Sequence, residues 1–227
     1  MNARTHRPIP LALTALIALF SAFAALALSG GHEAHARGTA HAASASVSPQ
    51  ELALRNEMRR LWEDHVTWTR LAVVSLTAGS PDTDATVARL LRNQTDIGNA
   101  IKPFFGNAAG AALTKELRSH ILIAADLIAA AKAGDQARVA SEQARWRANA
   151  DSIATLLSRA NPGYWKRAGV AAMLGEHLRL TTLEVVARLQ GRWVADVAAY
   201  DRIHRHALHM ADTLSAGIVG RFPGRFR

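Results

Sequence analysis

The sequence predicts an all-α protein, an antiparallel bundle of six helices built from three helix-hairpin repeats. Apolar residues recur three and four positions apart, and alanine, leucine and arginine dominate residues 50–220, where proline and glycine are sparse. Three apolar passages each contain one histidine and are each followed, fourteen residues after that histidine, by a glycine. No stretch shows the strict alternation of polar and apolar residues that is typical of a half-buried strand.

The N-terminal 36 residues have the features of a secretory signal. Arg4 and Arg7 precede an uncharged apolar run from Leu11 to Leu28, and the segment ends in Ala-His-Ala, a small-x-small cleavage sequence. The apolar run of 18 residues is also long enough to serve as an uncleaved membrane anchor. We therefore expect the folded part to be extracytoplasmic: periplasmic, secreted, or attached to the membrane through this segment.

The remaining chain divides by composition. Residues 37–47 are rich in alanine and serine and are predicted to form a flexible linker, residues 48–220 the helical bundle, and residues 221–227 a basic tail. There is no cysteine, which excludes disulfides, thiolate metal sites and thiol nucleophiles. The formal net charge is +9, but the arginines are scattered over all helices, so we expect no nucleic-acid partner.

Helix boundaries are marked by capping and breaking residues. Ser48, followed by Pro49 and by Glu51 three positions on, has the pattern of an N-cap with a capping box. The segment 102–106, Lys-Pro-Phe-Phe-Gly, is predicted to separate the second helix from the third. The six predicted helices cover about residues 48–79, 81–101, 108–133, 136–160, 164–190 and 192–219.

The spacing of the histidines indicates an internal repeat. His65 and His120 are 55 residues apart, as are Gly79 and Gly134, while His177 and Gly191 each follow 57 residues later. Because helices in such a bundle alternate up and down, the three histidines should lie at one height, each about 21 Å from its turn.

Counting back from each turn predicts the residues that face the histidines. His65 should lie opposite Gln94, with Asn93 and Asp96 within one helical turn, and His120 should face residues 148–151. His177 should face residues 204–206. In the last helix, an apolar stripe through Trp193, Val197, Tyr200 and His204 is expected to point inward.

This geometry gives a specific metal hypothesis. His65, His120 and His177 would converge on one transition metal, with His204, Asp96 or Glu184 completing the site. Imidazole ligands suit zinc, copper, nickel or iron. The alternative is that each histidine is a core residue whose hydrogen bonds are satisfied within its own hairpin, since burying an unpaired imidazole costs about 1–3 kcal/mol.

Three functions are compatible with these residues. The leading one is a non-catalytic extracytoplasmic binding protein with a buried His/Asp layer that takes a metal ion or small ligand. The second is an enzyme that uses His177 and Glu184 as an acid/base pair. The third is an envelope-associated interaction module with exposed tryptophans. Nucleophile elbows, P-loops, dinucleotide-binding glycine patterns and His-Glu-x-x-His are all absent from the sequence.

Three passages carry a family resemblance. Residues 54–70 (LRNEMRRLWEDHVTWTR), 93–106 (NQTDIGNAIKPFFG) and 120–126 (HILIAAD) resemble a bacterial family of uncharacterised secreted or envelope helical proteins. The resemblance covers about residues 52–224 and implies a helical bundle without an established activity. Positions that match the family pattern are His65, Asp96, His120, Asp151, His177 and Asp212.

Overall fold

The computed structural model describes residues 47–227, and over that range the chain is all-α, as the sequence predicts. Five α-helices are present: α1 (Pro49–Ala78), α2 (Thr83–Ala133), α3 (Gln136–Ala160), α4 (Arg167–Leu189) and α5 (Trp193–Arg221), followed by a 3-10 turn at Pro223–Arg225. No strand occurs among these residues. The predicted signal or anchor and residues 37–46 of the predicted linker lie outside the described residues.

Five helices are present where the sequence predicts six, because the second and third predicted helices join without a loop in α2; the predicted break at residues 102–106 is present as a kink at Gly106. This helix runs for 51 residues, through Pro103, and its backbone leaves helical geometry at Gly106, where φ is 86° and ψ is 166°. A left-handed φ of this kind suits glycine, so the chain bends at one residue and needs no loop.

The bend in α2 is sharp enough to bring its two halves into contact. Gly98 and Gly110 would stand about 18 Å apart in a straight helix, from a rise of 1.5 Å per residue. Instead, a Cβ atom on Gly110 would lie 2.5 Å from the Gly98 carbonyl oxygen. Only glycine permits this approach, and the two halves therefore pack side by side.

Local capping follows the sequence signals. The Ser48 hydroxyl accepts a hydrogen bond from the Glu51 amide at 3.2 Å, and the Asp135 carboxylate accepts one from the Arg138 amide at 3.0 Å. The turn glycines Gly79, Gly134 and Gly191 have φ values of 70°, 73° and 67°. The predicted stops are therefore the observed ones at these three turns.

Side-chain bonds place these three turns at the same end of the molecule. Lys132, at the end of α2, donates to the Leu76 carbonyl near the end of α1 at 3.2 Å. Arg188, at the end of α4, donates to the Thr77 hydroxyl at 3.2 Å. Because each histidine precedes its turn glycine by fourteen residues, the three lie at one height in the bundle.

One continuous apolar core joins the five helices. Its buried members include Leu61 of α1, Ile97 of α2, Ile153 of α3, Leu174 of α4 and Ile203 of α5. The five helices therefore share one set of buried apolar contacts. Between residues 47 and 227, none of the helices has the length and hydropathy required to cross a membrane.

Candidate functional site: a buried histidine layer

The structure brings His65, His120 and His177 together inside the bundle. They come from α1, α2 and α4, and only 4%, 5% and 4% of their surfaces are exposed. The ring centre of His177 lies 5.8 Å from that of His65 and 6.1 Å from that of His120. The expectation that three histidines meet at one height agrees with these distances, and His177 is the central ring.

His120 is oriented by an amide that the hairpin geometry predicts. Its Nδ1 lies 2.8 Å from Oδ1 of Asn149 on α3. The Asn149 amide nitrogen donates to the backbone carbonyl and the carboxylate of Glu116, at 3.1 and 2.9 Å, so the Asn149 oxygen faces the ring. His120 therefore donates through Nδ1, and its Nε2 keeps a free lone pair.

His65 is hydrogen-bonded within its own hairpin, by the side chains of Gln94 and Asn93. The Gln94 amide nitrogen lies 3.2 Å from its Nδ1, but also 2.9 Å from the Leu90 carbonyl and 3.1 Å from Oδ1 of Asn93. An amide nitrogen has two hydrogens and cannot satisfy three acceptors. The Leu90 carbonyl, however, already accepts the backbone N–H of Gln94 within the helix, so the two amide hydrogens can serve Nδ1 of His65 and Oδ1 of Asn93.

The centre of the layer leaves buried polar atoms without hydrogen-bond partners. The atoms without a partner are Nδ1 of His177, Oε1 of Gln94 and the indole nitrogens of Trp62 and Trp146. The two tryptophan rings lie 5.4 Å from His65 and 5.2 Å from His120, so all four atoms belong to this layer. Each such atom costs about 1–3 kcal/mol, which calls for an explanation.

Burial keeps the three imidazoles neutral. The pKa of both His65 and His120 is lowered to about 4, mainly by desolvation, and the proximity of His120 contributes to the lowering for His65. The pKa of His177 is lowered well below 6.5, first by burial and then by His65, His120 and His206. Neutral imidazole is the form that binds transition metals.

The other predicted site residues lie elsewhere. His204 contacts Oε1 of Glu63 at 2.8 Å near the surface, and Asp96 is exposed. Glu184 is buried, but its Oε1 accepts from Arg70 at 2.8 Å. The structure brings none of these three side chains into the layer. Within residues 47–227, no group of three or more His, Cys, Asp or Glu side chains is arranged to hold a metal ion.

His206 is the α5 histidine that contacts the layer. Its ring centre lies 6.2 Å from that of His177, and the two planes are 22° apart. The sequence places residues 204–206 opposite His177, but the predicted apolar stripe favours His204. That stripe is wrong at its start, because Trp193 and Val197 are 60% and 54% exposed.

A second buried polar cluster lies two turns further along α4. Arg70 donates two hydrogen bonds to the Asp196 carboxylate and a third to Glu184, and Arg188 donates to Asp196 at 3.0 Å. Burial raises the pKa of Glu184 despite its bond to Arg70. Burial also acts to raise the pKa of Asp196, but its two arginine partners outweigh this and lower it.

Comparison with known proteins adds no family: no family model, curated protein or solved structure matches the chain.

Proposed function

We propose that the protein is an extracytoplasmic binding protein whose histidine layer takes up a transition-metal ion. The observation that supports this most directly is the packing of two neutral, buried imidazoles, His65 and His120, against a third, His177, whose buried Nδ1 has no partner. A core built only for stability would be expected to pair such an atom or to replace the imidazole by an apolar side chain.

The ring separations are close to those of a metal site. Imidazoles that share a tetrahedral ion at 2.0–2.1 Å have ring centres roughly 5 Å apart. The two measured separations are 5.8 and 6.1 Å. Binding therefore requires His65 and His120 each to approach His177 by about 1 Å and the three rings to turn towards the ion.

Second-sphere contacts also favour a metal. The chain from Glu116 through Asn149 to Nδ1 of His120 holds the ring with Nε2 free. A metal-binding histidine commonly donates its other ring N–H to an oxygen acceptor in this way, which fixes the tautomer and raises the basicity of the ligand nitrogen.

The cavities next to the tryptophans of the layer are too small for an organic ligand. They measure about 20, 30 and 40 Å³ and border Trp62 or Trp146, and none of the three is lined by a histidine. Sites for organic ligands occupy roughly 300–1,000 Å³. An enzyme that pairs His177 with Glu184 gains no support from the contacts, because Glu184 is bound to Arg70.

Two finer parts of this proposal rest on the sequence. The extracytoplasmic location follows from the signal-like features of residues 1–36, and the resemblance to secreted helical proteins supports it. A threefold hairpin repeat is supported by the equal histidine-to-glycine spacings and by the contacts of His65 with Gln94 and of His120 with Asn149, each 29 residues apart.

Metal reconstitution tests the proposal. The full chain, produced without a histidine tag and stripped with a chelator, is dialysed against Zn²⁺, Cu²⁺, Ni²⁺ or Co²⁺, and its bound metal is measured by elemental analysis. We expect about one equivalent of at least one ion, as a three-histidine site would hold.

The matched variants are H177A, which removes the central ring, and H209A, which removes an exposed histidine. H177A should abolish uptake and H209A should retain it. Wild-type uptake below roughly 0.2 equivalents, far less than one ion per three-histidine site, or equal uptake by both variants, would contradict the proposal.

A further inference from the structure

A fourth imidazole stands between the buried layer and the solvent. His206 projects from α5, a helix that contributes none of the other three rings, and it is partly exposed. Its ring lies 6.2 Å from His177, nearly the separation that joins His177 to His65 and His120. The histidine cluster therefore contains four rings from four helices, with His177 in contact with each of the others.

The hydrogen bond of His206 fixes which nitrogen is free. Its Nε2 lies 3.0 Å from the Met173 carbonyl oxygen, which can only accept a hydrogen bond. Nε2 therefore carries the proton, and Nδ1 keeps its lone pair. An imidazole held through one N–H by a backbone carbonyl is the usual arrangement of a metal-binding histidine.

The surroundings of His206 are charged and accessible. Glu176, next to His177 in the chain, forms an ion pair with Arg179 at 2.6 Å and also interacts electrostatically with His206 and Arg202. In contrast, the other three histidines are at most 5% exposed. Among the four rings, His206 is the one that an ion in solution can reach without opening the core.

We propose that His206 is the fourth metal-binding residue and receives the ion at the entrance of the layer before His177 does. This inference rests on the proposed metal-binding function. Four imidazoles complete a tetrahedral coordination sphere, which three buried rings alone leave open. The ion would bind Nδ1 of His206 first, and the rings of His177, His65 and His120 would then close around it.

Rapid mixing of the metal-free full chain with Co²⁺ tests this step. The visible absorption of bound Co²⁺ reports coordination geometry, and its rise with time gives the association rate. The informative variant is H206Q, whose side-chain amide retains a donor for the Met173 carbonyl but removes the imidazole. H209A, on the same helix, is the control.

We expect H206Q to slow association and to weaken Co²⁺ affinity by at least about tenfold, as loss of a ligand or its close support commonly does. Its spectrum should shift because one nitrogen ligand is lost. H209A should match wild type within about twofold, as for most surface substitutions. Unchanged circular dichroism and thermal unfolding would show that H206Q is folded.

The outcomes separate the two proposals. If wild type binds Co²⁺ and H206Q binds it with the same rate, affinity and spectrum, His206 is not a ligand, although the metal site stands. If affinity falls but the spectrum and the association rate do not change, His206 only supports the fold and the inference is overturned. If wild type binds none of the tested ions, the proposed function itself fails.

Discussion

The bundle contains two buried polar clusters that differ in how completely their groups are paired. In the Arg70 cluster, both carboxylates accept hydrogen bonds from arginines. In the histidine layer, four buried polar atoms have no partner. Both clusters lie in the same core and both carry a desolvation cost.

This difference in pairing indicates that the Arg70 cluster is a structural network and that the histidine layer is a candidate binding site. A fully paired network gains little from any added ligand, because its charges already neutralise one another. In the histidine layer, two of the four unpaired atoms, Nδ1 of His177 and Oε1 of Gln94, can offer lone pairs to a cation, whereas the two indole nitrogens are donors only. The two clusters should therefore respond differently to acid, to the loss of one member and to metal.

Acid should produce the largest effect, and it should act through the histidine layer. The native rings of His65 and His120 stay neutral down to pH about 4, whereas unfolded imidazoles take up protons near pH 6.5. The unfolded state therefore binds more protons between these values, and the free energy of unfolding falls as the pH falls. The loss approaches about 3 kcal/mol for each ring over the whole window.

Urea denaturation of the metal-free protein at several pH values between 7.5 and 4 measures this slope. Glu184 acts against this loss of stability at low pH. Its pKa is raised, so the folded state binds a proton more readily than the unfolded state as the pH falls. H209Q, which changes an exposed histidine, should keep the wild-type slope. A free energy of unfolding that does not change between pH 6.5 and 4 would show that the buried rings do not titrate as the structure indicates.

Removing Arg70 should give the next largest effect. The variant R70M retains an apolar stem but leaves Glu184 without its arginine and Asp196 with only Arg188. Breaking a buried ion pair in this way costs about 3–5 kcal/mol. The control R138A breaks an exposed pair with Asp126 and should cost about 1 kcal/mol or less.

Chemical denaturation at pH 7.5 measures both arginine variants. Metal uptake by R70M should equal that of wild type, because Glu184 is seven residues, or about 10 Å, from His177 along α4. If folded R70M took up less metal than wild type, the Arg70 cluster would contribute to metal binding, and the two clusters would not be functionally separate.

The sequence predicts the histidine layer better than it predicts the helix count. Distance from a turn glycine is preserved in a helical hairpin, so counting along the chain places Gln94 against His65 and Asn149 against His120. The count of six helices differs from the observed five because a proline and a glycine normally mark a loop between two helices. Here the chain reverses at Gly106 alone, which depends on the packing of Gly98 against Gly110.

The choice between His204 and His206 shows a second limit. Residues that are two positions apart, such as His204 and His206, point in directions about 200° apart around the helix axis. The rotation of α5 about its axis therefore decides which histidine faces inward. The apolar residues Trp193 and Val197 suggest the wrong rotation because they are exposed, and periodicity cannot distinguish an exposed apolar patch from a core face. The unpartnered Nδ1 of His177 likewise depends on packing details that no spacing encodes.

The smallest and most discriminating effect comes from replacing two rings of the layer by leucine. H120L leaves Oδ1 of Asn149 buried without its donor, so the metal-free variant should lose about 1–3 kcal/mol of unfolding free energy. H177L removes a nitrogen that already has no partner and should change the free energy by less than about 1 kcal/mol, or increase it. Urea denaturation at pH 7.5 compares the variants, and both should lose metal uptake. Equal destabilisation would mean that His177 is paired in the native core, and the distinction between a satisfied and an unsatisfied ring would fail.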